Sequence, residues 1–374
     1  MSKFAAVAIG SLLFTVAGQV PSADAAGVER STQSTAILFE EGGYAELTFG
    51  HVAPKVSGTQ SVNAGPGSLI GASSGDMTGD YTTFNLGVKT QLDDRFSLAV
   101  VLDQPIGADV NYPAATGYLY GGSTATLDSN AVTAMAKYTL PSNVSLIGGL
   151  RAMRTKGNVS LFNGYQLRTS TETDYGYLLG VAYEKPDIAL RVSLTYISAI
   201  KHKFAITENS VPSLPLNVEI PQSVNLEFQT GIAKDTLLFG SARWVDWTAF
   251  EIAPAGYMVA TGGRPLVDYN GDTTTFTLGL GRRFNENWSG AVILGYEEPV
   301  GGFSGNLGPT DGQKSIGLAV TYEQDSFEIT GGLRYVDLGG TSTEAPLPFP
   351  PGTTFSSFTN NHALGVGVKV AYKF

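Results

Sequence analysis

Four arginines, Arg151, Arg191, Arg243 and Arg334, stand in stretches where apolar and polar residues alternate, each on the polar phase. A guanidinium is permanently charged and presents a planar fork of donors that matches a carboxylate bidentately. Four such groups on one wall could hold the anionic end of a ligand. Glu46, Glu227 and Glu328 fall on the same phase, so the arginines could equally neutralise carboxylates in a polar interior at little cost where water stays near. Arg154 and Lys156 follow Arg151, where the alternation no longer fixes which side they face.

Other site chemistry is not encoded. His51, His202 and His362 have no ligand-like spacing, so no metal is expected. There is no G-x-S-x-G elbow. The Gly-Gly pairs at Gly262 and Gly301 precede no strand–helix unit that could cradle phosphate. The sequence therefore predicts no enzyme and no cofactor. With 23 Lys+Arg against 33 Asp+Glu the chain is acidic, at a formal charge of −10, which argues against nucleic acid.

The connecting segments are apolar for loops, and exposed apolar patches usually meet something. Hydrophobic-ligand contacts are expected at Tyr112, Tyr118, Leu119, Tyr120, Phe162, Leu214, Leu216 and Phe349, and at Leu38 and Phe39 near the start. Pro105 and Gly107 interrupt one alternating run. Proline donates nothing to a ladder and glycine marks bends, so this is a break or simply a strand end.

The elements that position these groups are strands. In Ile188–Tyr196, residues 188, 190, 192, 194 and 196 are apolar and those between are small or polar; Leu364 to Phe374 repeats the pattern. That period of two is a strand with one apolar face. Short turns at 93–94, 141–143, 186–187, 234–235, 285–287 and 324–325 alternate with long Gly/Pro/Ser/Thr-rich connections near 54–80, 104–127, 155–172, 204–220, 249–272, 299–312 and 338–360. Six turns and seven loops join fourteen strands. Glycines such as Gly87, Gly149 and Gly279 lie on the polar face, and aromatic residues such as Tyr138, Trp288 and Tyr372 lie on the apolar face beside the short turns. A membrane barrel has this inside-out pattern, with apolar residues toward lipid and an aromatic girdle.

Residues 1–25 read as a signal peptide: Lys3, an apolar run Phe4–Ala17 too short to span, and an A-x-A site at Ala23–Ala25. The organisation expected is 26–43 as a short hatch-like segment and 44–374 as an antiparallel transmembrane β-barrel, all-β, in the outer membrane of a Gram-negative bacterium. Its partners would be outer-membrane lipid, a hydrophobic small molecule, and the barrel-assembly machinery through the terminal Phe374. With 46 glycines, no cysteine and 15% charged residues, the composition suits this class better than a soluble surface.

Several motifs then resemble the FadL-like transporters of long-chain fatty acids and hydrophobic compounds. Trp244-Val245-Asp246-Trp247-Thr248-Ala249-Phe250 is similar to the family's W-x-x-W-S-x-F, with Thr248 in the serine position. Ile220-Pro221-Gln222-Ser223, Asp93-Asp94-Arg95 with Gln104-Pro105-Ile106-Gly107, Tyr196-Ile197-Ser198 with His202, and Asn360-Asn361-His362 resemble further segments. The resemblance spans about 40–374. It implies a monomeric fourteen-stranded barrel with an N-terminal hatch, capture of fatty acids or hydrocarbons by the outer loops, and lateral exit beside a kinked third strand at Pro105 and Gly107. One departure stands out: only Ala26–Gly43 precede the first strand, and Leu38-Phe39-Glu40-Glu41-Gly42 stands near where the family has Asn-Pro-Ala. A general diffusion porin and a structural barrel are the alternatives.

Overall fold

The structure, a computed structural model, describes residues 28–65 and 67–374; the expected signal peptide lies outside the described residues. Fourteen antiparallel strands close on themselves. In chain order they are β1 (Tyr44–Lys55), β2 (Tyr81–Gln91), β3 (Phe96–Asp103, resuming at Gly107–Asn111), β4 (Thr124–Thr139), β5 (Val144–Ser160), β6 (Glu172–Lys185), β7 (Leu190–Ile197), β8 (Ser223–Ala233), β9 (Thr236–Val245), β10 (Thr273–Arg283), β11 (Trp288–Glu297), β12 (Gln313–Gln324), β13 (Phe327–Leu338) and β14 (Asn361–Lys373). Each pairs with its neighbour in sequence, and β14 returns to β1 in register from Tyr44↔Lys373 to Lys55↔His362.

The alternation places apolar side chains outside. On β14, Leu364, Val366, Val368, Val370 and Tyr372 are exposed, while Ala363, Lys369 and Ala371 are buried within the barrel. The same holds around the wall, which therefore presents a continuous apolar belt that water cannot solvate well; lipid is its natural solvent. Aromatic pairs mark the lower rim beside the short turns: Trp288 with Tyr322 at 4.9 Å and Phe327 with Tyr372 at 4.8 Å. A second set, including Phe49 with Phe84 at 5.5 Å and Tyr177 with Tyr196 at 6.1 Å, marks the upper rim. Eight residues separate Tyr183 from Tyr175 on β6, about 26 Å of strand, which at barrel tilt spans most of the hydrocarbon.

The long connections hold more structure than their composition suggests. The β4–β5 ladder continues out to Thr124↔Ser160, through residues that read as loop. Gln166–Thr169, Ile206–Glu208 and Leu216–Ile220 add short strands, and Gly58–Gln60, Thr341–Glu344 and Thr354–Phe358 form a small separate sheet. Above the lipid band the outer face meets water, so the apolar-outside pattern ends although the hydrogen-bond ladder does not.

Inside, Phe239 of β9 packs in the space left by Gly279 of β10; a Cβ there would overlap its ring. Gly279→Val is expected to destabilise the folded barrel by about 1–3 kcal/mol. The check is heat-modifiable gel mobility: the variant's folded band should convert to the unfolded position at lower temperature than wild type, and an unchanged conversion temperature contradicts this packing.

Candidate functional site

Residues 28–43 run along the inner wall and bind inward-facing side chains. The Arg243 guanidinium, on β9, holds the Glu29 carboxylate through Nε at 3.1 Å and through Nη2. It also donates to Ser223 Oγ at 3.0 Å and Asn225 Oδ1 at 2.5 Å. Arg151, on β5, pairs with Asp103 at 3.2 Å and donates to Gln33. Ser31 donates to Asp103 at 2.9 Å, Ser34 donates to Glu227 at 2.6 Å, and Asn225 Nδ2 donates to the Thr32 carbonyl at 3.1 Å. A segment with no regular backbone pairing thus finds its partners on the wall.

Below this, Ala36–Phe39 forms one 3₁₀ turn, its first amide accepted by Ser34 Oγ at 3.1 Å. Its four side chains are buried. Ile37 fits against Gly87, where a Cβ would collide with it. The Phe39 ring makes two cation–π contacts, with the Lys137 ammonium at 4.5 Å and the Arg191 guanidinium at 4.4 Å. Arg191 also donates to Gln229 at 3.1 Å. Lys89 is fully buried and donates to the carbonyls of Glu40 and Gly42, both at 2.7 Å. Burial pushes the Glu40 carboxyl up to about 8, against the pull of Lys369. Gly43 and Phe374 exchange backbone hydrogen bonds at 3.0 and 2.9 Å, so the chain's last residue pairs with the end of this segment.

The segment also meets the break in β3. β2 and β3 pair from Leu86↔Leu102 to Gln91↔Ser97 only. Above that point, Gln104 Oε1 accepts the Phe84 amide at 3.1 Å, and Ser129 of β4 serves both the amide and the carbonyl of Ile106. Arg30 N donates to Pro105 O at 2.8 Å and Gly107 N donates to Val28 O at 2.7 Å, with a bridge between Glu29 and Ile106. The N-terminal residues supply the backbone partners that a proline-interrupted strand lacks.

Directly above lies a cavity of about 240 Å³, reaching from Gly107 and Tyr81 to the outer loops. Its lining is dominated by apolar side chains, among them Met77, Phe204, Leu216, Val218, Phe250 and Leu266. It exceeds the roughly 150 Å³ apolar cavity known to take up benzene. Arg30 is its one cationic lining residue; Glu29, Asp109, Asp268 and Asp311 are also on the lining. Glu29 is held by Arg243, and Asp311 accepts the amides of Val300 and Gly301 at 2.8 and 2.7 Å. The Arg30 guanidinium stacks on Tyr81 at 4.2 Å, and its Nε has no hydrogen-bond partner among the described residues. Burial lowers its pKa from the ordinary arginine value, yet arginine stays protonated.

The W-x-x-W-T-x-F stretch shapes one side of this cavity. Trp247, Phe250 and Tyr269 pack as a trio with centroids 5.2–5.9 Å apart, and Phe250 reaches the lining. Of the expected hydrophobic contacts, Leu216 lies on the lining; Gly107, expected as part of the kink, also lines the cavity. Tyr112, Tyr118, Leu119, Tyr120 and Phe349 pack with Phe355 and Phe358 under the small loop sheet, joined by Phe162 at 5.0 Å from Tyr120. Leu214 is exposed, and Leu38 and Phe39 sit lower in the lumen. Arg334 donates to Ser315 at 3.0 Å on the wall. Arg30 was not legible as a site residue, because the segment that carries it has no period from which to read a facing.

Thr155, His202 and Asp174 form a chain: Thr155 Oγ1 to His202 Nε2 at 3.0 Å and His202 Nδ1 to Asp174 at 2.8 Å. Thr155 is 1% exposed, so the arrangement fastens Ile200–Phe204 to the upper wall.

A closed antiparallel barrel with lipid-facing apolar residues, a polar interior and a chain segment inside it is a transmembrane β-barrel. Its fold is that of FadL-type channel structures. A Pseudomonas aeruginosa FadL homologue superposes with a TM-score of 0.72 at 13% identity, over 96% of this chain and 98% of that one. The P. putida toluene transporter TodX gives 0.64 at 14% over 91% and 92%, and the CymD monoaromatic hydrocarbon channel 0.57 at 14% over 90% and 89%. At these identities the likeness is one of fold. No family model and no curated protein matches the chain.

Two expectations follow from the lumen geometry. Arg243→Ala strands the Glu29 carboxylate in a site where both side chains are under 10% exposed, a change that costs about 3–5 kcal/mol when a buried pair is broken. Because the chain has no cysteine, Ser34→Cys reports on docking, and its maleimide labelling rate should rise at least about tenfold in the Arg243→Ala background; an unchanged rate contradicts the anchor. For Glu40, a carboxyl with a raised bound-state pKa favours docking most below the usual carboxylate range, and that contribution is lost as pH rises through about 8. A nitroxide at Ser34→Cys should be more mobile at pH 8.5 than at pH 5.5, with the difference absent in Glu40→Gln.

Proposed function

We propose that this chain is an outer-membrane channel for passive uptake of hydrophobic molecules, long-chain fatty acids foremost, in a Gram-negative bacterium. The observation that carries the reading is the apolar cavity, which lies between the outer loops and the break in β3. The resemblance of fold to hydrocarbon channels supports it. A molecule captured among the loops enters the cavity, and its exit is sideways, past Pro105 and Gly107, once the bridge from Val28–Arg30 gives way. Residues 28–43 act as a small plug, which is why a general diffusion porin is the weaker reading.

Arg30 favours a carboxylate-headed ligand: its buried Nε lacks an acceptor, and a charge-assisted hydrogen bond to a carboxylate would satisfy it. A neutral hydrocarbon is the second reading, favoured by the four carboxyl residues on the same lining. Uptake of radiolabelled oleate and of toluene, measured in cells with no other such channel, separates the two. Arg30→Gln should lower oleate uptake at least about tenfold and leave toluene uptake near wild type, while Leu216→Asp lowers both. Equal oleate uptake by wild type and Arg30→Gln removes Arg30 as the headgroup site, and toluene uptake without oleate uptake assigns the channel to neutral ligands. No uptake of either compound above a strain without the gene overturns the proposal.

A further inference from the structure

The upper end of β5 and the short strands Gln166–Thr169 and Ile200–Phe204 carry cations that the uptake route does not use. On β5 the lipid-facing phase runs through Leu146, Leu150 and Ala152 and then changes to Arg154 and Lys156, both exposed. Tyr175 pairs with Ala152 and Thr173 with Arg154. The change therefore falls one step beyond the upper aromatic ring, at headgroup height. On the other side of β6, Ile200–Phe204 is fastened by His202 to Asp174 and by the Ala205 amide to Ser170 Oγ at 3.0 Å. With His202 and Phe204 buried inward, Lys201 and Lys203 face out. Arg168, also exposed, stands farther out, paired with Asn158 and Thr207. The His202–Asp174 contact keeps Lys203 on the side of β6 opposite Arg154.

Two of these five cations have carboxylate partners, Lys156 with Asp128 at 3.6 Å and Lys201 with Glu219 at 3.1 Å. Arg154, Arg168 and Lys203 form no ion pair among the described residues. Asp174 is turned inward to His202, and Glu172, on the same inward phase of β6, accepts from Ser170 Oγ at 2.6 Å. In a chain of net charge −10, three cations without a carboxylate partner on one patch offer a site to an anion from outside. Immediately below them Leu150 and Tyr175, 73% and 77% exposed, are the most exposed large apolar side chains of the wall.

From this we infer that the patch docks one lipid of the outer leaflet bearing a phosphorylated headgroup, with phosphate on Arg154, Arg168 and Lys203 and acyl chains over Leu150 and Leu179. Basic side chains at a membrane surface each favour anionic headgroups by about fivefold, and arginine adds bidentate contact with phosphate. The inference rests on the orientation proposed above, loops outward.

The test uses the full exported chain in detergent, titrated by native mass spectrometry with bisphosphorylated lipid A, with the same lipid dephosphorylated, and with inorganic phosphate. Bisphosphorylated lipid A should bind at least about tenfold tighter than the dephosphorylated form. Arg154→Gln/Arg168→Gln/Lys203→Gln should remove at least about thirtyfold of that affinity, while Arg95→Gln/Lys185→Gln/Lys234→Gln, at the opposite rim, should leave it unchanged. Equal binding by the first triple variant and wild type overturns the inference, as does full competition by millimolar inorganic phosphate, which would mark an anion site without lipid. Oleate and toluene uptake by the same triple variant should match wild type, so failure here is distinct from failure of the uptake reading.

Discussion

The structure depends on one constraint: inside a bilayer a strand's amides and carbonyls have no water to bond, so each must find another strand. The β1–β14 pairing removes the last free edge and turns a sheet into a wall. Everything else is arranged around where that ladder holds and where it fails. It holds along nearly the whole circumference. It fails between β2 and the upper half of β3, because Pro105 has no donor and the strand restarts at Gly107. Two kinds of substitute bonding occupy the gap, the Gln104 side chain and the backbone of Val28–Arg30, while the Ser129 hydroxyl mends the β3–β4 ladder at Ile106.

Those substitutes differ in how easily they can be withdrawn. Gln104 and Ser129 are side chains on the wall itself. The N-terminal residues belong to a segment held by discrete polar anchors, Glu29 on Arg243 and Gln33 on Arg151, and by one apolar turn at Ala36–Phe39. A segment fastened at a few points has fewer cooperative bonds to lose than a strand in a ladder. The weakest part of the wall is thus closed by the least integrated part of the chain, next to the apolar cavity. Arg243, Arg151 and Arg191 of the wall all meet this segment. Arg30 differs because it lies on the segment and faces the cavity.

The sequence was most legible where physics leaves few options. A period of two with apolar residues on one phase, small residues on the other and aromatics at the short turns specified strand number, facing and inversion, and Arg151, Arg191 and Arg243 do face inward. It was less legible above the lipid band. The ladder through Thr124–Asn130 and Arg154–Ser160 reads as loop because both faces there tolerate polar residues. The loop tyrosines read as ligand contacts because composition shows that a segment is apolar, not what covers it; Tyr112, Tyr118 and Tyr120 cover one another.

By itself, then, the sequence determined the barrel and which face of each strand turns outward, because alternation and turn spacing are local properties of the chain. Only the tertiary structure decided what fills the interior. The Glu29–Arg243 pair joins residues 214 apart, and the Arg30 position follows from bonds to the β3 break, not from any repeat around it. Contacts between an aperiodic segment and a distant wall leave no pattern along the chain, so they could be seen only once the wall had closed around that segment.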